Sequence, residues 1–173
     1  MRKTIALDLD GVITDIAGGL EKRLTRDARK GINYTDWLTT DTKDDYALSI
    51  FGDEVFWKNL HPFMDAWYQV NNWFAQGIDV NIITARRLPA SKKTAQPWLD
   101  DWRINTLIPK FAMIHEKYEI VKDLNPVFMV EDNPNEVRIL REHGVNCYLR
   151  KAEYNKKYWN ELPTIDTLFD LEI

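Results

Sequence analysis

The chain has 173 residues, 45% of them hydrophobic and 29% charged, the composition of a globular domain rather than a disordered segment. Lysine and arginine number 23 against 27 aspartates and glutamates, and the net charge of −4 argues against binding a nucleic-acid duplex through bulk positive charge. The single cysteine, Cys147, excludes an internal disulfide and fits a reducing, cytoplasmic setting.

This length suits one domain carrying an insertion, and such a chain buries roughly 70% of its unfolded surface without help from disulfides or structural metal. The apolar run at the N-terminus meets Asp8 and Asp10 too early for a signal-peptide core. No stretch approaches the ~18 uncharged apolar residues of a membrane span, so no membrane partner is expected.

Taken in order, Ile5 to Leu7 form a short buried strand that ends at Asp8. Residues 15–61 then contain no strand pattern; Leu20 and Leu24 suggest a helix, and Tyr34, Trp37, Tyr46, Phe51, Phe56 and Trp57 follow. A segment this long is not a loop of a compact domain, so it reads as a mostly helical insertion. Ala66, Val70, Trp73 and Phe74 fall on one helical stripe, with Gly77 as its stop. Val80 to Ile83 are a second strand ending at Thr84. Ala95, Trp98, Leu99 and Trp102 mark another helix, with Ser91 as its N-cap and Pro97 inside it. Phe111 to Ile114 are a third strand, Ile120, Val121 and Leu124 a short helix, and Val127 to Val130 a fourth strand. Asn133 caps a helix that has Pro134 at its first position, carries Val137 and Leu140, and stops at Gly144. Val145 to Leu149 are a fifth strand, and Tyr154 to Ile173 a surface turn with a short helix through Leu168 and Phe169.

Strands alternating with helices imply right-handed crossovers and a mostly parallel, Rossmann-like α/β sheet with helices on both faces. Ligands of such sheets bind beyond the carboxyl ends of the strands. Those ends carry Asp8 and Asp10, then Thr84 and Arg86, then Lys117, then Glu131 and Asp132. Several carboxylates in one cleft need a cation between them, and oxygen donors without Cys or His favour Mg2+ over zinc. A hydroxyl and an ammonium facing that cation complete a phosphate cradle. Each motif alone has a plainer reading: a turn or cap aspartate, a fragment of a calcium loop, a solvated lysine. Their order at four successive strand ends is what carries the argument. The three histidines, His61, His115 and His143, lie on different elements without a Ser or Cys partner, which argues against triad chemistry.

These motifs resemble those of the haloacid dehalogenase superfamily. Asp8-Leu9-Asp10-Gly11-Val12-Ile13-Thr14-Asp15 is similar to its first motif, Thr84 in Ile82-Ile83-Thr84-Ala85-Arg86 to its second, Lys117 to its third, and Glu131-Asp132-Asn133-Pro134 to its fourth. Lys122 competes for the third position but lies mid-helix. Glu131 departs from the more usual Asp or Gly, and Glu136 stands where some members carry a further acid; both are candidates for a place behind the metal ligands. The resemblance implies Asp8 as nucleophile, Asp10 as acid and base, and magnesium held by Asp8, Asp132 and the backbone carbonyl of Asp10. It implies Thr84 and Lys117 as phosphate and charge partners. Aspartate rather than Ala or Ser at position 10 favours phosphatase over dehalogenase chemistry.

The resemblance also implies a division into a core, residues 1–14 and 62–173, and a helical cap, residues 15–61. The run from Phe56 to Pro62 is similar to 5′(3′)-deoxyribonucleotidases, in which cap aromatics hold a nucleobase, so Phe56 and Trp57 are candidate substrate contacts. Thr84-Ala85-Arg86 and the stretch from Val137 to Tyr148 look more like the phosphatase domain of bacteriophage polynucleotide kinase. Arg86 either clamps a substrate phosphate or merely pairs with a surface acid. The expected substrate is a small phosphate ester, a nucleotide or a nucleic-acid end; a sugar phosphatase and a non-catalytic phosphate-binding module are the alternatives.

Overall fold

A computed structural model describes residues 2–29, 31–39, 44–86, 88–113 and 115–173. Six parallel strands form one sheet in the order β3-β2-β1-β4-β5-β6. They are β1 (Thr4–Leu7), β2 (Asp79–Thr84), β3 (Lys110–Phe111), β4 (Met129–Glu131), β5 (Cys147–Arg150) and β6 (Thr164–Ile165). Helices α1 (Ile16–Arg26), α2 (Thr35–Thr39), α3 (Asp45–Phe51) and α4 (Glu54–Lys58) follow β1. The remaining helices are α5 (Met64–Ala75), α6 (Pro89–Asp101), α7 (Lys117–Leu124) and α8 (Pro134–Glu142), with short 3-10 turns at Glu153–Tyr158 and Leu168–Asp170.

The centre of the sheet follows from side-chain alternation. Ile5 and Leu7 pack on one face with Val80, Ile82, Val130 and the aromatics of α4–α6. Ala6 points to the other face, with Ile83, Met129, Val137, Leu140 and Cys147. Both faces are covered, which is why β1 is an unbroken apolar run. Registers Leu7↔Ile82 and Leu7↔Val130 bring the ends of β1, β2 and β4 to one level. The chain continues from β1 toward β2 on one side, while β4 lies on the other. The crevice of such a sheet opens at this reversal.

Between β1 and α5 the described residues contain helices and no strand longer than an isolated bridge. The points where this segment leaves and rejoins are stitched together: Thr14 bridges Pro62, Asp15 N–H donates to the His61 carbonyl (2.8 Å), and Phe63 N–H to that of Ile13 (2.8 Å). The helices are well capped, by Asp15 on Gly18, Asp44 on Ala47 and Asp53 on Val55. Arg23 ties α1 to α4 by pairing with Asp53 (2.7 Å) while also holding Asp27 (2.8 Å).

Several boundaries differ from the sequence reading. The third strand is only Lys110–Phe111, and Ile114 lies outside the described residues. β4 and β5 begin two residues later than periodicity suggests, because pairing starts where Met129 meets Cys147. Ser91 is not the N-cap of α6. That helix starts at Pro89, whose fixed φ suits a first turn, and the Ser91 hydroxyl donates back to the Leu88 carbonyl (2.9 Å). Phe74 leaves the buried stripe of α5 and is 41% exposed. The C-terminal stretch adds β6, which no periodicity announces in two residues. Its supposed surface turn holds the buried Tyr154 and Asn155.

Candidate active site

The loop after β1 turns sharply so that Asp8 and Asp10 face the crevice. Ile13 and Thr14 N–H groups both return to the Leu9 carbonyl (2.9 and 2.8 Å), and Gly11 takes φ +82°. Glycine is required there twice over. The conformation is left-handed, and a Cβ would stand 2.2 Å from Asp132 Oδ2. Asp8 N–H donates to the Val130 carbonyl (2.9 Å), which locks the nucleophile candidate against β4.

Asp8, Glu131 and Asp132 are buried, and one carboxylate oxygen from each lies within 4.8 Å of the others. Lys117, the first residue of α7, reaches between two of them: Nζ donates to Asp8 Oδ1 (2.6 Å) and Glu131 Oε2 (2.7 Å). Three buried carboxylates share one cation, so the cluster retains uncompensated negative charge. Burial, then Glu131, drives the Asp8 pKa up to about 7 against the pull of Lys117. Burial, then Glu131 and Asp8, push Asp132 well above its usual range, and burial also raises Glu131. Burial works to lower Lys117, but Asp8 and Glu131 outweigh it and hold the ammonium charged. A divalent cation would relieve this repulsion, and the donor set, all hard oxygen, fits magnesium.

Asp10 belongs to a second constellation. Its Oδ1 accepts from Thr14 Oγ1 (2.8 Å) and from Arg86 Nη2 (2.7 Å), and its Oδ2 accepts from Arg86 Nε (2.8 Å). The Arg86 guanidinium is buried, with its Cζ 4.4 Å from the centroid of Trp57. Of the two sequence-based alternatives for Arg86, the structure has the acid pair, and the acid is Asp10 rather than a surface group. Thr84 is buried at the end of β2, where its Oγ1 accepts from Arg86 N–H (3.3 Å).

These groups floor a cavity of about 380 Å³. Asp8, Asp10, Thr84, Lys117, Glu131 and Asp132 line it, and Trp37, Leu38, Leu48, Phe51 and Trp57 give it an apolar wall. Phe56 is not on that wall. It packs edge-on to Phe51 and Trp57 in the core. Trp57 lines the cavity, but one ring face carries Arg86 and its indole N–H donates to the Phe51 carbonyl (2.8 Å). The wall is tied to the start of α8 at Thr39, whose carbonyl accepts from the side-chain amides of Asn133 (3.4 Å) and Asn135 (3.3 Å). Glu136 also borders the cavity, outside the three-acid cluster. Its Oε1 accepts from His115 N–H and lies 3.1 Å from His115 Nδ1, while its buried Oε2 has no hydrogen-bond partner among the described residues.

Tyr154 and Asn155 adjoin the acidic cluster, although the sequence gives their stretch the look of a surface turn. Tyr154 OH donates to Asp132 Oδ2 (2.6 Å), and Asn155 Nδ2 donates to the Asp132 carbonyl (2.9 Å). Both follow β5, so extending the strand-end rule from four strands to five nominates them.

Comparison with known structures fits this geometry. A haloacid dehalogenase-like hydrolase from Bacteroides fragilis matches with a TM-score of 0.64 at 16% identity, over 99% of this chain and 100% of that one. A protein described as a phosphatase from Clostridium difficile matches with a TM-score of 0.63 at 14% identity, over 98% and 96%. The chain has the haloacid dehalogenase-like fold. An RNA repair complex of Pnkp1, Rnl and Hen1 also contains this fold, with a TM-score of 0.55 at 14% identity, over 86% of this chain and 42% of that one. No family model matches the sequence, and no curated protein does. Within the haloacid dehalogenase-like fold, the buried acids could bind a metal. No helix among the described residues is long and apolar enough to cross a membrane.

Proposed function

We propose that this chain is a magnesium-dependent phosphomonoesterase that works through an aspartyl-phosphate. The observation that carries the reading is Lys117 bridging Asp8 and Glu131 beside Asp132, a compact buried arrangement at the ends of β1 and β4. Asp8, Asp132 and the Asp10 carbonyl would hold the metal, with Glu131 adjoining them. When bound, that ion neutralises phosphate charge and aligns the phosphoryl group for in-line attack.

Asp8 attacks phosphorus, forming an acyl phosphate as the bond to the ester oxygen breaks. Asp10, held by Arg86 and Thr14, acts as acid and base: one of its oxygens leaves Arg86 and carries the proton that it gives to the leaving oxygen, and the carboxylate later takes a proton from the water that displaces Asp8 from phosphorus. Thr84 donates to a phosphate oxygen, and Lys117 stays charged to balance the phosphorylated Asp8.

For the substrate we infer a nucleotide or a nucleic-acid end. The apolar wall of the cavity supports this, since a base offers a flat face that an aromatic and aliphatic surface covers without hydrogen-bond penalty. A hydroxyl-rich sugar finds few polar partners there. The likeness to an RNA repair complex points the same way. Because Phe56 is packed in the core and Trp57 carries Arg86, the base contacts fall to Trp37, Leu38, Leu48 and Phe51. In this reading residues 15–61 are the cap that supplies them.

The test is phosphate release from mononucleotides, 3′- and 5′-phosphorylated oligonucleotides and sugar phosphates, with and without magnesium, by wild type and Asp8→Asn. Release that needs magnesium and disappears in the variant supports the mechanism. Turnover retained by Asp8→Asn overturns it, and sugar phosphates outpacing nucleotides overturns the substrate reading.

A further inference from the structure

Among the described residues, the Asp132 carboxylate is held through one oxygen. Tyr154 OH donates to Oδ2 at 2.6 Å, and both groups are buried. The backbone of Gly11 crowds the same oxygen so closely that a Cβ there would stand 2.2 Å from Oδ2 and 2.6 Å from the phenol oxygen. The main chain of Asp132 is fixed as well: Asn155, fully buried, donates to its carbonyl and to that of Arg150 (both 2.9 Å). Asn155 is anchored in turn by Trp159, whose indole N–H donates to Asn155 Oδ1 (2.8 Å). One segment, Tyr154 to Trp159, thus grips Asp132 by side chain and backbone, and Oδ1 accepts no hydrogen bond among the described residues.

Which oxygens a carboxylate offers decides which cation it suits. Magnesium demands a compact octahedron, in which a carboxylate gives one oxygen. Calcium takes six to eight oxygens in flexible geometry and accepts a carboxylate through both. Groups that hydrogen-bond to ligands are worth about 10–100-fold in metal affinity, because they fix the ligand before the metal arrives.

We propose that Tyr154 is a positioning residue that keeps Asp132 a one-oxygen donor and so biases the acidic cluster toward magnesium and against calcium. This rests on the reading of that cluster as a divalent-metal site. Tyr154 does no chemistry on the phosphate. Its hydroxyl occupies the oxygen that a larger ion would recruit.

The experiment is calorimetric titration of the metal-free 173-residue chain with magnesium chloride and, separately, calcium chloride, for wild type and Tyr154→Phe, with circular dichroism to check folding. The expected result is at least a tenfold fall in magnesium affinity for Tyr154→Phe with calcium affinity held or raised, so that the magnesium-to-calcium ratio falls by about tenfold or more. An unchanged ratio, whether both affinities persist or both drop in parallel, overturns the proposal and leaves Tyr154 a packing residue. A wild type that binds neither ion sinks the metal-site reading itself, an outcome distinct from the first. A second measurement does not depend on the variant's folding: in crystals of the wild type soaked with magnesium, Asp132 should bind through Oδ1 with Oδ2 still on Tyr154. Two-oxygen coordination by Asp132 would overturn the proposal.

Discussion

Arg86 lies edge-on against Asp10, two parallel N–H donors meeting two carboxylate oxygens at 2.7 and 2.8 Å. This makes the arginine a clamp on the proposed acid-base residue rather than on substrate. Lysine keeps the charge but cannot reproduce the fork. Arg86→Lys should therefore lower kcat by about 10²-fold, the scale of general acid-base help, with little change in KM. Steady-state kinetics on an aryl phosphate decides the matter: a raised KM at unchanged kcat would assign Arg86 to the substrate phosphate instead.

Lys117 is the only cation whose hydrogen bonds enter the acidic cluster among the described residues. Replacing it with Met leaves Asp8 and Glu131 facing each other in a buried site, and breaking such a pair costs about 3–5 kcal/mol. The loss should depend on pH. Without the ammonium both carboxyls titrate higher still, so the folded state holds protons that the unfolded state has released, and stability falls as pH rises. Denaturant melts of Lys117→Met should show the variant much weaker than wild type at pH 7.5 and closer to it at pH 5.5. A deficit equal at both pH values would refute the argument.

How much of this was legible beforehand divides along physical lines. The strand ends and their acids could be read because a buried parallel strand is a short apolar run and the polar residue closing it stands out, as in Ile5-Ala6-Leu7-Asp8. Asn133-Pro134 at the start of α8 was equally plain, since cap and proline preferences are local. The Arg86–Asp10 pair spans 76 positions, and nothing local distinguishes a buried arginine from a surface one. The aromatics of the insertion carried even less information: Phe56 and Trp57 are adjacent, yet one packs in the core and the other lines the cavity, according to how α4 docks on α6. Tyr154 and Asn155 escaped because a run with Lys156 and Lys157 beside them has the composition of a solvated turn, while its burial is decided by contact with Asp132.

Asp8, pushed up to about 7 by burial and by Glu131, predicts how metal binding responds to pH. Below pH 7 the cation must displace a proton from this carboxyl; above it the carboxylate is already formed. Apparent magnesium affinity should fall by up to about tenfold per pH unit below 7 and level off above it. Calorimetry in two buffers of different ionisation enthalpy should detect proton release at pH 6 and little at pH 8. The metal-free chain should show the opposite trend in its folding: this group's contribution is greatest below its ordinary pKa of 3.8, where folded and unfolded forms are both protonated, and is lost as pH climbs to about 7. Magnesium affinity independent of pH from 6 to 8 would mean that Asp8 is not among its ligands.

Leu48 offers a way to test the apolar wall without disturbing the fold. It lines the cavity yet is 44% exposed, so truncation opens no buried void. Trp37, only 7% exposed, is a poorer choice because its loss would also cost core packing. If a base lies on this wall, Leu48→Ser removes part of one apolar contact, about 1 kcal/mol of the 1.5–3 that full burial contributes. That corresponds to roughly a fivefold rise in KM for a mononucleotide or a phosphorylated oligonucleotide, with kcat held, since the acids and Lys117 are untouched. A small aliphatic phosphate too short to reach the wall should show no change. Equal effects on both substrates, or none on either, would place the base elsewhere and leave the wall a purely structural surface.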